Sequence, residues 1–331
     1  MSDPQFRYRN ILVIKPGAVG DLLQLTPVFR ALTRSGPSAR TTLIVGGAST
    51  AALFRHDPNV DEVIVFDRRR TPLLPLWKDL RRKRFDLVLN FQRSNLRAWF
   101  LASAAFPCRV LVYHKARNRP VHAVVNYLET LAPLGISPTD IGLTLPLDEA
   151  SRSFARETFR SLGLGTRPVV ALNPGATHAV NRWPPASFAA LADRIREELG
   201  ARAIVLGGPD DAGIAEEIVR QSRSKPPSLA GRTTLLQLGA VLEQCAAVVS
   251  GDTGPMHMAT AVGTRVIALF GAADPVRTGP IGSGHQVVRA KDVACVPCRS
   301  RTCSNRIQRE CMEKLDVTDV LGAVETALRG R

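Results

Sequence analysis

Short, nearly uninterrupted apolar runs recur along the chain. Each is followed by a turn containing Gly, Pro, Asn or Asp, then by a stretch with helical spacing of apolar residues. Continuous apolar runs suit parallel strands covered by helices on both faces, whereas a half-exposed strand would alternate apolar with polar residues. The pattern predicts strands at 10–15, 41–46, 62–66, 86–91 and 109–113. A second series is predicted at 169–173, 203–206, 247–250, 266–270 and 286–289. Helices are predicted from Met256 to Val262, from Val317 to Leu328, and around Leu73, Leu76, Trp77 and Leu80. These last four recur at i, i+3, i+4 and i+7, the spacing of a core-facing stripe. Two series of alternating strands and helices predict two doubly wound α/β sheets. A length of 331 residues suits two such domains. The predicted division is 1–160 and 161–331, in the linker region between Asp148 and Pro168. No long apolar span and no N-terminal leader pattern is present, so the expectation is a cytoplasmic protein without a membrane-spanning helix.

Charge adds a polarity to this layout. The formal net charge is +15, of which +11 falls in residues 1–160 and +4 in the remainder. A generally Arg-rich surface would raise both halves alike. The imbalance points to a polyanionic partner for the first half: nucleic acid, an anionic membrane surface or a phosphorylated glycolipid. Residues 68–84 carry Arg68–Arg70 at one end and Arg81, Arg82, Lys83 and Arg84 at the other, with the apolar stripe between them. They form either solvated helix ends or an interfacial docking element.

Three strand–turn–helix junctions carry candidate chemistry. Residues 250–259 read Ser-Gly-Asp-Thr-Gly-Pro-Met-His-Met-Ala. A helix start after such a turn offers unpaired N–H groups and the positive end of the helix dipole, a ready anion site. It is equally the sequence of an ordinary capped helix. Residues 11–27 place Lys15 at the end of an apolar strand and Asp21 after Gly20 at a helix start. Residues 169–184 run through Asn-Pro-Gly-Ala-Thr-His to Asn181, Arg182, Trp183 and Pro184.

Taken together in this order, the three junctions resemble glycosyltransferase family 9, the heptosyltransferases of lipopolysaccharide core assembly. Ala268–Gly271, Asp274–Pro275 and Thr278–Pro280 continue the third motif, and the resemblance spans residues 9–315. It implies the GT-B architecture, with two Rossmann-like domains facing across a cleft, the first for the acceptor and the second for the nucleotide sugar. In that architecture the last helix often returns to the first domain. The resemblance implies an inverting transfer of heptose from ADP-heptose to a lipopolysaccharide inner-core acceptor anchored by lipid A. The enzyme would work peripherally at the inner face of the inner membrane. Asp21 would be the general base, its other reading being a carboxylate that complements the helix dipole. Lys15 would contact an acceptor phosphate or carboxylate, or remain a solvated charge. Thr177, His178, Arg182, Asp252, Thr253, Gly254 and His257 would bind the donor, although His257 also reads as a satisfied core histidine. Asn181 stands where the family often has Lys, so Arg182 is expected to supply the charge. Trp183 reads as a packing residue.

No cofactor is expected for catalysis, since positive charge from Arg182 and the helix start can serve the leaving group and no Asp-x-Asp pair occurs. Cys295, Cys298, Cys303 and Cys311 have the spacing C-x2-C-x4-C-x7-C. Structural zinc or iron–sulfur ligation, packed reduced thiols and redox-dependent disulfides all fit that spacing. Cys108 and Cys245 read as small buried hydrophobes. Two alternatives stay open: an enzyme acting on another nucleotide sugar, or a basic nucleic-acid-binding protein with a cysteine knuckle. The low aromatic content, 5%, weighs against base-stacking surfaces, and no nucleic acid partner is expected. No Gly-x-Gly-x-x-Gly turn follows a strand, which weighs against a dinucleotide dehydrogenase.

Overall fold

The computed structural model describes residues 6–92, 94–116 and 119–330. The chain divides into two compact units, residues 1–146 and 147–331. In the first, the strands are β1 (Asn10–Ile14), β2 (Arg40–Val45), β3 (Glu62–Val65), β4 (Leu87–Asn90) and β5 (Arg109–Val112). Its helices are α1 (Val19–Leu23), α2 (Thr26–Ser35), α3 (Ala48–Ala52), α4 (Leu73–Arg82), α5 (Leu96–Ser103) and α6 (Ala123–Leu128). In the second, the strands are β6 (Val169–Asn173), β7 (Arg202–Val205), β8 (Ala247–Gly251), β9 (Arg265–Leu269) and β10 (Gln286–Val288). The helices are α7 (Glu149–Ser161), α8 (Pro185–Leu199), α9 (Ala212–Gln221), α10 (Leu235–Gln244), α11 (Gly254–Ala261), α12 (Pro275–Thr278), α13 (Glu310–Glu313) and α14 (Val317–Arg329). All ten predicted strands form, most within one residue of their expected ends.

Every strand pairing is parallel. The first sheet has the order β3-β2-β1-β4-β5, the Rossmann arrangement. The second runs β10-β9-β8-β6-β7, and the segment at Ser228 adds a parallel bridge to Val205 on the outer side of β7, which gives this sheet the Rossmann arrangement as well. The strand order reverses between β1 and β4 in one sheet and between β6 and β8 in the other. Connections leave on opposite faces at these points, so a crevice opens beyond the strands' carboxyl ends. The registers bring Ile14 beside Asn90 and Asn173 beside Ser250 at those two ends.

The apolar runs become the cores. In the first unit Leu12, Ile14, Ile44 and Val88 pack with Leu76 and Leu80 of α4 and Leu101 of α5. The predicted α4 stripe therefore faces the core, with Leu73 and Trp77 packed at its margin. In the second unit Val170, Leu172, Val249, Ile267 and Leu269 pack with Phe188, Leu191 and Ile195 of α8.

Two boundary expectations change. The division falls at Pro146–Leu147, ahead of the predicted residue 160, because α7 belongs to the second unit. Its Ala155 and Phe159 are buried, and Arg152 makes two 3.0 Å hydrogen bonds to Glu243 on α10. The last helix, expected to return to the first domain, instead contributes Val320, Leu321, Val324 and Ala327 to the second unit's own core. Among the described residues, no helix is long and apolar enough to cross a membrane.

Candidate functional site

In the first unit, the β1 strand ends at Ile14, and the next residue, Lys15, is buried. Its Nζ lies 3.3 Å from Asp21 Oδ2 and 5.3 Å from the centre of the Tyr127 ring. Asp21 is the third residue of α1, with its side chain 46% exposed. Tyr127 Oη donates a 3.4 Å hydrogen bond to the other carboxylate oxygen, Oδ1. Burial, the Asp21 charge and neighbouring Tyr113 push the Tyr127 hydroxyl well above its ordinary range, so it stays a protonated donor. Phe91, Tyr113 and Tyr127 pack with centroids 4.8–5.9 Å apart, Tyr127 edge-on to the other two rings, and wall this corner. Gly17 keeps the turn close to both side chains, since a Cβ there would stand 3.0 Å from Lys15 Cε and 3.3 Å from Asp21 Oδ2 and crowd the pair. Lys15, expected to contact an acceptor phosphate or carboxylate or to remain a solvated charge, pairs with Asp21 here. The carboxylate is thus gripped on one side and open to solvent on the other.

The second unit has a cleft of about 400 Å³ at its β6/β8 switch point. Asn173, Gly175, Ala176, Thr177, Arg182, Asp211, Thr253 and Gly254 are among the residues that line it. Asn173 Nδ2 donates to Ser250 Oγ at 2.9 Å and Thr253 Oγ1 at 3.1 Å, which ties the ends of β6 and β8 to the start of α11. Asn173 Oδ1 is buried and has no hydrogen-bond partner among the described residues. That leaves an acceptor available at the cleft. Arg182 donates from Nε and Nη2 to Ala176 O at 3.2 and 3.1 Å, so one guanidinium both shapes the Pro-Gly-Ala turn and lines the cleft. Asn181 does not line it; the positive charge belongs to Arg182. Gly175 permits the close approach of the opposite wall, since a Cβ would lie 2.4 Å from Asp211 Oδ2. Asp211 in turn accepts from Gly208 N at 2.9 Å, in the 3-10 turn Pro209–Asp211.

Asp252 and His257 lie beside this cleft and not in its lining. The helix cap is Thr253, so Asp252 is not spent as one. Its Oδ2 accepts from Thr278 Oγ1 at 2.8 Å, and its Oδ1 lies 3.8 Å from His257 Nε2. His257 is buried. His178 also lies outside the lining, while Thr177 is exposed at its edge. Trp183 is 2% exposed, packs against Phe188 and donates to Leu315 O at 3.0 Å, so it is a packing residue.

The cysteine segment folds against the same unit. Cys311 is buried, Cys303 half-buried, and Cys295 and Cys298 exposed. A Cβ on Gly271 would meet Cys311 Sγ at 2.7 Å, so the thiol fills the space this glycine leaves. Burial and the neighbouring thiols raise the Cys311 pKa. Among the described residues, no three His, Cys, Asp or Glu side chains gather as metal ligands. Cys245 is a buried small hydrophobe and Cys108 is half-buried.

The sequence reading missed Asn173, Asp211, Ser250, Thr278 and Tyr127. Asn173 and Ser250 carried a signal, because each is the polar residue that closes an apolar strand. Thr278 stood in the third motif but with no role assigned, while Asp211 and Tyr127 act across 36 and 106 positions of chain and had no local mark.

Comparison with known proteins agrees with this geometry. The family model for glycosyltransferase family 9 (heptosyltransferase) matches residues 73–308. Lipooligosaccharide heptosyltransferase 2 of Haemophilus influenzae is 33% identical, over 85% of this chain and 88% of that protein. The glycosyl transferase family 9 structure from Veillonella parvula superposes with a TM-score of 0.87 at 26% identity, covering 98% of each chain. The Escherichia coli ADP-heptose lps heptosyltransferase II has the same fold, with a TM-score of 0.80 at 23% identity over 97% of this chain and 99% of that one. With a family model matching most of its length and both sheets in doubly wound order, this chain belongs to glycosyltransferase family 9, the heptosyltransferases, and is a glycosyltransferase.

Proposed function

We propose that the chain transfers heptose from ADP-heptose to a lipopolysaccharide inner-core acceptor, with inversion at the anomeric carbon. The observation that carries this reading is the switch-point cleft, where the start of α11 and the Arg182 guanidinium line one space of about 400 Å³ in a chain of this family. The diphosphate would sit against the first-turn N–H groups of α11, with Arg182 meeting the charge that grows on the leaving group. Asp252, held by Thr278, would accept from donor-sugar hydroxyls. The acceptor hydroxyl oxygen attacks the anomeric carbon, and Asp21 takes its proton as that bond forms. The bond from the anomeric carbon to the phosphate oxygen breaks, and ADP leaves with the electron pair. Lys15 and Tyr127 hold the Asp21 carboxylate in place for this task.

On this reading the first unit takes the acceptor and the second the donor. The net charge of residues 1–146 is +11, which suits a phosphorylated, lipid-anchored acceptor at the cytoplasmic face of the inner membrane. Family membership displaces the reading as a basic nucleic-acid-binding protein. The test is release of nucleotide by purified protein, given an acceptor and a panel of nucleotide sugars. ADP release from ADP-heptose alone, with a heptose added to the acceptor, is the expected result. UDP release from a UDP-sugar with ADP-heptose inert would overturn the donor assignment in favour of another nucleotide sugar.

A further inference from the structure

The helices α4 and α5 pack against each other at one edge of the first unit and leave an apolar surface uncovered. Leu96 is 85% exposed, Leu74 56%, Phe106 54%, Phe100 40% and Trp99 39%. Isolated exposed apolar residues are ordinary, but these are grouped. Leu96, Trp99 and Phe100 fall at i, i+3 and i+4 on α5, so they share a face. Phe100 lies 6.3 Å from Trp77 on α4, and Trp77 Nε1 donates to Ser103 Oγ at 3.0 Å. Leu74 lies one turn before Trp77 on α4, and Arg81 one turn after. Arg81 donates to Phe106 O and Ala104 O, which fixes the turn that displays Phe106.

A basic rim surrounds this surface. Between residues 68 and 106 the sequence has ten Lys and Arg against two Asp. Of the two, Asp79 pairs with Arg82, and Asp86 accepts from the backbone N–H groups of Arg9 and Asn10. Arg69, Arg70, Lys78 and Arg84 are exposed. Arg97 bonds to Arg68 O, which draws the 68–70 run against α5.

We infer that the α4–α5 edge docks this enzyme onto an anionic lipid bilayer, with Leu74, Leu96, Trp99, Phe100 and Phe106 entering the headgroup boundary. Apolar side chains with aromatics among them, ringed by cations, match an interface that is oily below and negative above. A second copy of this chain does not suit the surface, because a two-fold contact would set one +8 segment against another. The proposal deepens the membrane-proximal reading above, yet its test needs neither sugar donor nor acceptor. Failure of the docking surface therefore leaves the transfer reaction standing, and the reverse also holds.

The test uses the full chain with vesicles of 3:1 POPE/POPG, and POPC vesicles as the uncharged control, at 50 and 500 mM NaCl. Wild type should co-sediment with the anionic vesicles and much less with POPC. Bromine-labelled lipids should quench its tryptophan emission, and Trp99→Phe should lose at least half of that quenching while still binding. Leu96→Glu with Phe106→Glu should weaken partitioning by about tenfold or more, with the melting temperature unchanged because both side chains are exposed. Arg69→Ser, Arg70→Ser and Lys78→Ser together should weaken binding about tenfold or more at 50 mM NaCl and little at 500 mM. Equal binding to POPC, absence of Trp99-dependent quenching, or normal binding by the folded double-Glu variant would each overturn the proposal. So would a patch that altered only self-association in sedimentation analysis.

Discussion

Asp21 shows how little of a residue's role its own position states. At a helix start it could simply complement the dipole, but its two oxygens are held by Lys15 and Tyr127 while nearly half the side chain stays open. A general base needs that combination of fixed direction and access. Asp21→Asn is expected to lower kcat by roughly 10²–10⁴-fold while donor affinity changes only a few-fold, because the donor cleft is built from other residues. Turnover assays paired with ADP titration check this, and near-normal turnover would remove Asp21 from the mechanism. Asp252 makes the complementary case. It is held by Thr278 beside the cleft and does not cap α11. Asp252→Ala should therefore weaken binding of ADP-heptose more than binding of ADP. Calorimetry with both ligands decides it, and equal losses would reduce Asp252 to a structural tie.

At the scale of elements, the strands were legible and their polar fastenings were not. Uninterrupted apolar runs named all ten strands because a parallel strand buried on both faces has no other composition open to it. The α8 helix carries one such fastening. Asp193, buried on α8, accepts hydrogen bonds from Ser222 Oγ at 2.6 Å, Ser224 N at 2.7 Å and Arg223 N at 3.1 Å. Burial alone would raise its pKa, but the three bonds outweigh it and bring the group from 3.8 down to about 2. A depressed carboxylate stabilises the fold above its unfolded pKa, and that stabilisation is lost as pH falls through the folded value. The window therefore runs from about pH 4 down to about pH 2. Asp193→Asn should cost about 2 kcal/mol at pH 7, and the difference from wild type should vanish near pH 2. Urea melts across that range check the expectation; a constant difference at every pH would show that the charge is not what matters. In α4 the same scale corrects an assumption. Arg81 and Arg82 are not free solvated ends but bond to the 104–106 turn and to Asp79.

For the whole molecule, the division at Pro146–Leu147 is a statement about which core each helix completes. α7 buries Phe159 and Ala155 and is clamped to α10 by Arg152 and Glu243. A fragment of residues 147–331 should therefore fold by itself and bind ADP. A fragment beginning at 162 strips α7 from α10, a loss comparable to deleting a buried Phe at about 3 kcal/mol or more, and should melt roughly 6–12 °C lower. Calorimetric scans of both fragments test the boundary, and equal stabilities would place α7 with neither core. The charge asymmetry is unchanged by moving the boundary: residues 1–146 keep +11 and residues 147–331 keep +4. It therefore belongs to the first unit as folded and does not depend on where the chain is cut.

The sequence by itself determined the ten strands, the two-series organisation and the family, since apolar runs and local turn motifs are short-range features that the chain carries wherever it folds. It also located the strand–turn–helix junctions that hold Asp21, Arg182, Thr253 and Gly254. Only the tertiary structure decided that the segment at Ser228 extends the second sheet beside β7, since a single parallel bridge to Val205 is set by the neighbouring strand and leaves no apolar run in the sequence. It likewise assigned α7 and α14 to the second unit, because an amphipathic helix specifies that a face will be buried but not against what. It turned Lys15 onto Asp21, tied Asp252 to Thr278 and set Gly175 against Asp211, contacts between residues 6 to 36 positions apart. Such pairings depend on which strand ends meet at a switch point, and that is fixed by how the whole chain closes its cores.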